Sequence, residues 1–285
     1  MIDFSGRCGL VMGVSGTNSI GYQVARTLAD AGAAVATTHR PAHRDRAAEA
    51  SRRLADSPHF AVEAGDGPAL AAAFAELADR WGRLDFLVHT LAYGPPGALR
   101  RPLTQLSRAD FDAVLGVGVH SLIAAAGLAI PLFEKSAAPR LVALSSHGDT
   151  HTMPGYHVLG ISKAALAAAV RYLAAELGAA GVLCNVLRFS YVPTDGARRA
   201  MGAETGHRTR ELLARAAPTR EPLEGAQVAA MVALLASPAW QNTTGQVITQ
   251  DGGFAQVLFR DPGVPPTASQ AAPAATTHPG TGEPR

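Results

Sequence analysis

A serine, a tyrosine and a lysine in the middle of the sequence, Ser146, Tyr156 and Lys163, are candidates for acid–base chemistry on a carbonyl group. Tyr156 and Lys163 are seven residues apart, close to two turns of an α-helix, so one helix would present both on nearly the same face. A nearby ammonium lowers the pKa of a phenol and makes it a stronger acid. Such a phenol stabilises the negative charge that reaches a carbonyl oxygen when a hydride is added to an enone. Ser146 either donates a second hydrogen bond to that oxygen or simply ends its strand.

Alternating strand-like and helix-like segments are predicted to position these side chains. The predicted strands are 8–14, 33–38, 60–64, 84–91, 140–145, 182–189 and 246–249, and the predicted helices are 20–31, 44–55, 68–81, 107–133, 156–177 and 224–236. The alternation predicts an α/β fold, a Rossmann-type doubly wound parallel sheet of about seven strands with helices on both faces. We expect one domain over residues 1–260, with a substrate-covering segment at about 190–220. The Pro- and Ala-rich residues 261–285 are expected to be a disordered tail.

A glycine-rich turn follows the first predicted strand, GVSGTNSIG from Gly13 to Gly21. Glycines and the N-terminus of the next helix suit a pyrophosphate, although the usual G-x-G-x-x-G spacing is absent and an ordinary glycine-rich turn is the alternative. Arg40 ends the second strand where an acidic residue would favour NAD, so the sequence predicts NADP(H) over NAD(H). Asp66, after the third strand, either faces the adenine or is a plain loop residue.

The overall composition excludes several classes of function. The net charge is +2 and the basic residues form no block, which argues against nucleic acid as a partner. We expect no membrane span, because no apolar run of about 18 residues stands out. The two cysteines are expected to be buried thiols of a cytoplasmic protein. His147, Asp149 and His151 lack a further ligand nearby, so we expect no metal site.

Taken together, these motifs resemble the short-chain dehydrogenase/reductases, and specifically the enoyl-acyl-carrier-protein reductases, over roughly residues 4–257. The glycine turn ends in Ser-Ile-Gly, and Tyr156 and Lys163 show the Tyr-x6-Lys spacing of that group rather than Tyr-x3-Lys. The segments MPGYHVLG at 153–160 and LVHTLAY at 87–93 are also similar to the family.

The resemblance implies roles for further residues and partners. The cofactor would contact Gly13, Ser15, Ser19, Ile20, Arg40, Asp66, Leu91, Lys163, Val192 and Thr194, and the substrate would contact Tyr93, Met153 and Tyr191. The family commonly forms tetramers, so a homotetramer or homodimer is expected. The substrate would be a small molecule or an acyl-carrier-bound intermediate. An acyl carrier protein would dock on basic residues, here Arg198, Arg199, Arg208, Arg210, Arg215 and Arg220.

Two positions depart from the family pattern. Ser146 stands where many enoyl reductases have a second tyrosine, and Tyr191 lies where Pro-Gly or Gly-Pro is usual. The leading hypothesis is NADPH-dependent reduction of a C=C bond conjugated to a carbonyl, in a specialised fatty-acid-like or secondary-metabolite pathway. The alternatives are a ketoreductase that uses Ser146 and Tyr156, and an NADP-binding cyclase or isomerase without net redox chemistry.

Overall fold

A single parallel sheet organises the part of the chain that the computed structural model describes, residues 2–54, 57–95 and 97–257. Its strands are β1 Cys8–Met12, β2 Ala34–His39, β3 His59–Ala61, β4 Phe86–His89, β5 Arg140–Ser146, β6 Leu183–Phe189 and β7 Val247–Gln250. Their order is β3-β2-β1-β4-β5-β6-β7, and every neighbouring pair is parallel. The order reverses between β1 and β4, which is where ligands bind in such sheets. The predicted tail, 261–285, lies outside the described residues.

Helices cover both faces of this sheet, as predicted. They are α1 Ile20–Asp30, α2 Arg44–Arg52, α3 Gly67–Trp81, α4 Arg108–Leu115, α5 Ser121–Phe133, α6 His157–Leu177, α7 Asp195–Met201, α8 Ala203–Ala216 and α9 Gly225–Ala236. One apolar core packs α3, α5 and α6 against the sheet, and a second packs α1 and α9 against the other face. The fold is therefore the doubly wound α/β arrangement that the sequence predicts.

The predicted continuous helix at 107–133 is interrupted. α4 starts with a capping box, in which Ser107 and Asp110 exchange side-chain and backbone hydrogen bonds. A π-helical turn, Gly116–His120, then separates α4 from α5. Gly118 in this turn allows a close approach to α6, because a Cβ at that position would lie 2.0 Å from Ser162 Oγ.

Two helical stretches are more apolar than expected. Arg108–Phe133 and His157–Ala180 are long and apolar enough to cross a membrane by length and composition, contrary to the expectation that no stretch would be. The core helices of globular proteins pass the same test. Here both stretches contribute buried side chains to the core on one face of the sheet, which accounts for their composition.

The predicted covering segment at 190–220 contains two helices that the sequence reading did not assign, α7 and α8. Thr194 caps α7, since its hydroxyl accepts a hydrogen bond from Ala197 N at 3.1 Å. Asn18, in the glycine turn, donates to Asp195 at 2.8 Å. This bond connects the start of the covering segment, which follows β6, with the glycine turn, which follows β1.

Candidate active site

Ser146 and Tyr156 meet at the carboxyl edge of the sheet. Ser146 ends β5 and Tyr156 immediately precedes α6, and the Ser146 hydroxyl donates to the Tyr156 oxygen at 3.1 Å. Burial raises the pKa of Tyr156, the bond from Ser146 opposes this, and the charge of Asp149 adds to it. The phenol is therefore kept in its protonated form, in which it is a hydrogen-bond donor.

Lys163 is buried on α6, and its ammonium is held by backbone oxygens. It donates to Leu144 O at 2.8 Å and to Leu91 O at 3.2 Å. Burial lowers the pKa of Lys163 to about 8, and Asp149 opposes the shift. The predicted lowering of the Tyr156 pKa by this lysine is wrong: the shift has the opposite direction, because the loss of hydration outweighs the other influences on the phenol.

The glycine turn has the shape of a cradle. Gly13 has φ +103°, and a Cβ there would lie 2.7 Å from Thr90 Oγ1. A Cβ at Gly21 would lie 2.8 Å from the Gly13 carbonyl oxygen. Ser19 caps α1 by accepting from Tyr22 N at 3.2 Å, while Ser15 and Ile20 are half-buried beside the turn. The close backbone approach and the free N–H groups at the start of α1 fit the pyrophosphate of a dinucleotide.

Arg40 is not a free cation. Its guanidinium pairs with Glu63 at 3.1 Å and lies 5.2 Å from the centre of the Tyr93 ring. Burial, and then the charges of nearby arginines, lower the pKa of His43. Asp66 has a capping role, since its carboxylate accepts from Ala69 N at 3.0 Å at the start of α3. Tyr93 was predicted to contact the substrate. In the structure its ring contacts Arg40, at the end of the crevice where the adenosine of the cofactor is expected.

The other predicted contacts lie around the covering segment. Val192 is buried just after β6, and Tyr191 lies over α8, where a Cβ at Gly206 would lie 2.2 Å from its oxygen. The Met153 carbonyl accepts from Tyr156 N at 3.1 Å in the turn before α6. The structure therefore places Tyr191 against α8 of the covering segment at 190–220, which we call the cover, and Met153 in the turn that leads into Tyr156.

The structure adds a buried ion pair beside these groups that sequence reasoning missed. Asp149 accepts from Arg188 Nε at 2.7 Å and from the Ser145 hydroxyl at 2.8 Å. An arginine inside the apolar β6 was the available signal, because a buried charge needs a partner. Among the described residues, no group of three or more His, Cys, Asp or Glu side chains is arranged to hold a metal ion.

Comparison with known proteins identifies close resemblances over nearly the whole chain. The family model described as enoyl-(acyl carrier protein) reductase matches residues 13–255. An enoyl-acyl-carrier-protein reductase (NADH) from Nostoc sp. is 30% identical, over 89% of this chain and 98% of the relative. The Anaplasma phagocytophilum reductase, solved in complex with NAD, has a TM-score of 0.83 and 25% identity, over 92% of this chain and 97% of that one. The Bacillus cereus reductase, solved with NADP⁺, has the same TM-score and identity, over 90% and 99%.

The predicted preference for NADP(H) over NAD(H) is wrong. The Nostoc relative is named for NADH and the Anaplasma structure contains NAD, although the Bacillus structure contains NADP⁺. The prediction counted Arg40 as a free cation for a 2′-phosphate. Its pairing with Glu63 offsets that charge where the phosphate would have to bind.

Proposed function

Because this chain belongs to the enoyl-acyl-carrier-protein reductase family of the short-chain dehydrogenases/reductases, we propose that it uses NADH to reduce the C=C bond of a 2-enoyl thioester. The observation that carries the proposal is the pair of hydroxyls of Ser146 and Tyr156, 3.1 Å apart, together with the buried ammonium of Lys163, which Leu144 O holds on the strand that ends in Ser146. A bound reduced nicotinamide supplies the hydride. The protein's own contribution is to hold the substrate oxygen and the nucleotide.

Tyr156 is the proposed donor to the thioester carbonyl oxygen. Negative charge grows on that oxygen as hydride reaches the β-carbon, and a protonated, water-shielded donor stabilises it most. The raised pKa of Tyr156 suits this role, since the phenol keeps its proton at neutral pH. Ser146 donates its only hydroxyl proton to Tyr156 in this structure, and it can give the substrate oxygen a second hydrogen bond when that hydroxyl turns. Lys163 holds the ribose hydroxyls, while Leu91 O and Leu144 O fix the position of its ammonium.

We further propose a specialised substrate rather than the ordinary straight acyl chains of fatty-acid synthesis. Ser146 replaces the bulky second tyrosine of many relatives, and Tyr191 adds a ring over α8. The test is a steady-state assay of the purified chain with NADH and a panel of enoyl thioesters. We expect NADH oxidation with some members of the panel and poor rates with plain 2-enoyl chains. High rates with the plain chains would exclude a specialised role, and no oxidation with any would exclude enoyl reduction.

Carbonyl reduction is the second candidate, favoured by the hydrogen bond from Ser146 to Tyr156, since two adjacent hydroxyls can bind one ketone oxygen. Deuterium transfer from labelled NADH separates the two reactions. Label on the β-carbon supports enoyl reduction, and label on a carbinol carbon supports ketone reduction.

We also propose that the chain forms a homotetramer or homodimer through α5 and α6, in a reducing, cytoplasmic compartment. Ile123 and Ile161 are exposed on these apolar helices, and Cys8 and Cys184 are buried free thiols. Sedimentation analysis of the wild type and of an Ile123→Glu/Ile161→Glu variant tests the assembly, which we expect the charges to weaken.

An acyl carrier protein remains the proposed carrier of the substrate. Arg198, Arg208 and Arg210 are already paired with Asp195, Glu204 and Glu224, so docking would depend on Arg199, Arg215 and Arg220.

A further inference from the structure

A cavity of about 170 Å³ lies between α8 and the carboxyl ends of β6 and β7. Its wall includes Ser190 and Tyr191 after β6, Arg210 on α8 and Gln250 at the end of β7. Liquid water occupies roughly 30 Å³ per molecule, so the cavity has room for a few atoms of a ligand or a few water molecules.

Four buried polar atoms in this wall have no hydrogen-bond partner among the residues that the structure describes. They are Ser190 Oγ, Tyr191 Oη, Arg210 Nε and Gln250 Oε1. Ser190 is only 7% exposed. Leaving a buried polar atom unpaired costs about 1–3 kcal/mol. These four atoms belong to residues that line one space, so a polar occupant toward which their side chains turn would be favoured. Two hydroxyls and the guanidinium N–H can donate to it, and the Gln250 oxygen can accept from it.

The charges around the cavity select the kind of occupant. Among the described residues that line it, Arg210 is the one basic side chain, and it already pairs with Glu224. Glu221 and Asp251 also line the space, so carboxylates outnumber the cation. An anionic ligand would therefore be repelled. A neutral hydroxyl group satisfies both kinds of partner, because its oxygen accepts from the donors while its O–H donates to Gln250, and a keto oxygen satisfies the donors.

One short contact connects the cavity wall with the residue that follows Ser146. Asp251 in its wall lies 3.2 Å from His147 Nε2, and His147 directly follows Ser146. On its other side, Tyr191 directly precedes Val192 at the end of β6. The cavity thus lies at the carboxyl edge of the sheet beside α8, in the direction that the acyl chain of the proposed substrate would take.

We propose that this cavity binds a neutral oxygen-bearing group, a hydroxyl or keto oxygen, carried on the acyl chain of the substrate. The inference rests on the proposed enoyl reduction and names the substrate class: oxygenated 2-enoyl thioesters. Ser190, Tyr191, Arg210 and Gln250 are then residues that determine specificity.

The test compares enoyl thioesters of equal length with and without a hydroxyl or keto group, moved along the chain, using NADH and the full-length protein. For at least one position of the oxygen we expect kcat/KM at least tenfold above that of the plain chain. Tyr191→Phe keeps the ring over Gly206 and removes only the hydroxyl, so we expect this ratio to fall at least fivefold. Tyr172→Phe is the matched control, since Tyr172 is 78% exposed on α6, and it should leave the ratio unchanged.

A ratio near one for every position in the wild type would overturn the inference and assign the cavity to ordered water. A ratio that Tyr191→Phe leaves intact would also overturn it. If no thioester supports NADH oxidation, the proposed function fails instead, and calorimetric titration with saturated acyl thioesters decides about the cavity. Tighter binding of the oxygenated compound would then support the inference, and equal binding would refute it.

Discussion

Replacing Asp149 by asparagine should destabilise the protein far more than removing a surface carboxylate of similar geometry. Asp149 lies 2.7 Å from Arg188, and the two side chains are 1% and 15% exposed. Asparagine keeps a hydrogen-bond acceptor for Ser145 but leaves the arginine buried without a counter-charge. Breaking a buried ion pair in this way costs about 3–5 kcal/mol, and the retained acceptor favours the lower end, about 3 kcal/mol. At about 2–4 °C per kcal/mol, Tm should fall by roughly 6–12 °C.

The matched control is Glu204→Gln. Glu204 pairs with Arg208 at 2.6 Å, but these side chains are 79% and 76% exposed. An exposed pair of this kind contributes roughly 0–1 kcal/mol, so its loss should barely move Tm. Both variants are followed by urea and thermal unfolding at one protein concentration, and Asp149→Asn/Arg188→Met should recover part of the loss. If Asp149→Asn costs no more than Glu204→Gln, burial does not govern the strength of this pair, and the reasoning is refuted.

Four further predictions concern the proposed site. Tyr156→Phe should lower kcat for enoyl reduction by about 10²–10³-fold in steady-state assays, because an oxyanion donor is lost, and a change below tenfold would contradict that role. Since the pKa of Lys163 is lowered to about 8, its ammonium loses its proton as pH rises through that value, so NADH affinity measured by fluorescence should fall above pH 8. Asp149→Asn should move this midpoint to lower pH, because Asp149 raises the pKa of Lys163, whereas an unmoved midpoint would exclude the coupling. Gly13→Ala places a methyl group 2.7 Å from Thr90 Oγ1 at a positive φ, so the Kd for NADH should rise at least tenfold in the same assay, and an unchanged Kd would show that the turn is no cradle.

The sheet and the Ser146–Tyr156 pair could be predicted because they depend on local patterns. Apolar strands that alternate with helices leave few topologies open, and a residue at the end of a strand must lie at the carboxyl edge. Ser146 and Tyr156 are ten residues apart, joined by one tight connection. Their meeting therefore follows largely from the ends of β5 and α6.

The properties that depend on distant partners could not be predicted in this way. Arg40 was interpreted as a free cation because Glu63 is 23 residues away, and only the pairing of β2 with β3 brings them together. The spacing of Tyr156 and Lys163 correctly places Lys163 on α6, but Tyr156 lies one residue before that helix. The spacing also does not fix the end of a long lysine side chain, which two backbone oxygens hold. The pKa of the phenol then follows burial, which sequence spacing does not measure.

The helices of the cover lay within reach of sequence reasoning. Glu204 and Arg208 are four residues apart and form an ion pair along α8, a spacing that stabilises helices. Thr194 before Asp195 is a typical start for the preceding helix.

The π-helical turn at Gly116–His120 determines how α4 is rotated about the helix axis relative to α5. A π-helical turn holds one residue more than the α-helix around it, and each α-helical residue advances the chain by about 100°. The offset lets Val114 and Phe111 pack with Val158 and Leu159, next to Tyr156, while α5 packs against the sheet. Deleting one residue from this turn would convert it to a regular α-helix and rotate α4 away from Val158 and Leu159. The packing of α4 beside Tyr156 therefore depends on the one additional residue of the π-helical turn.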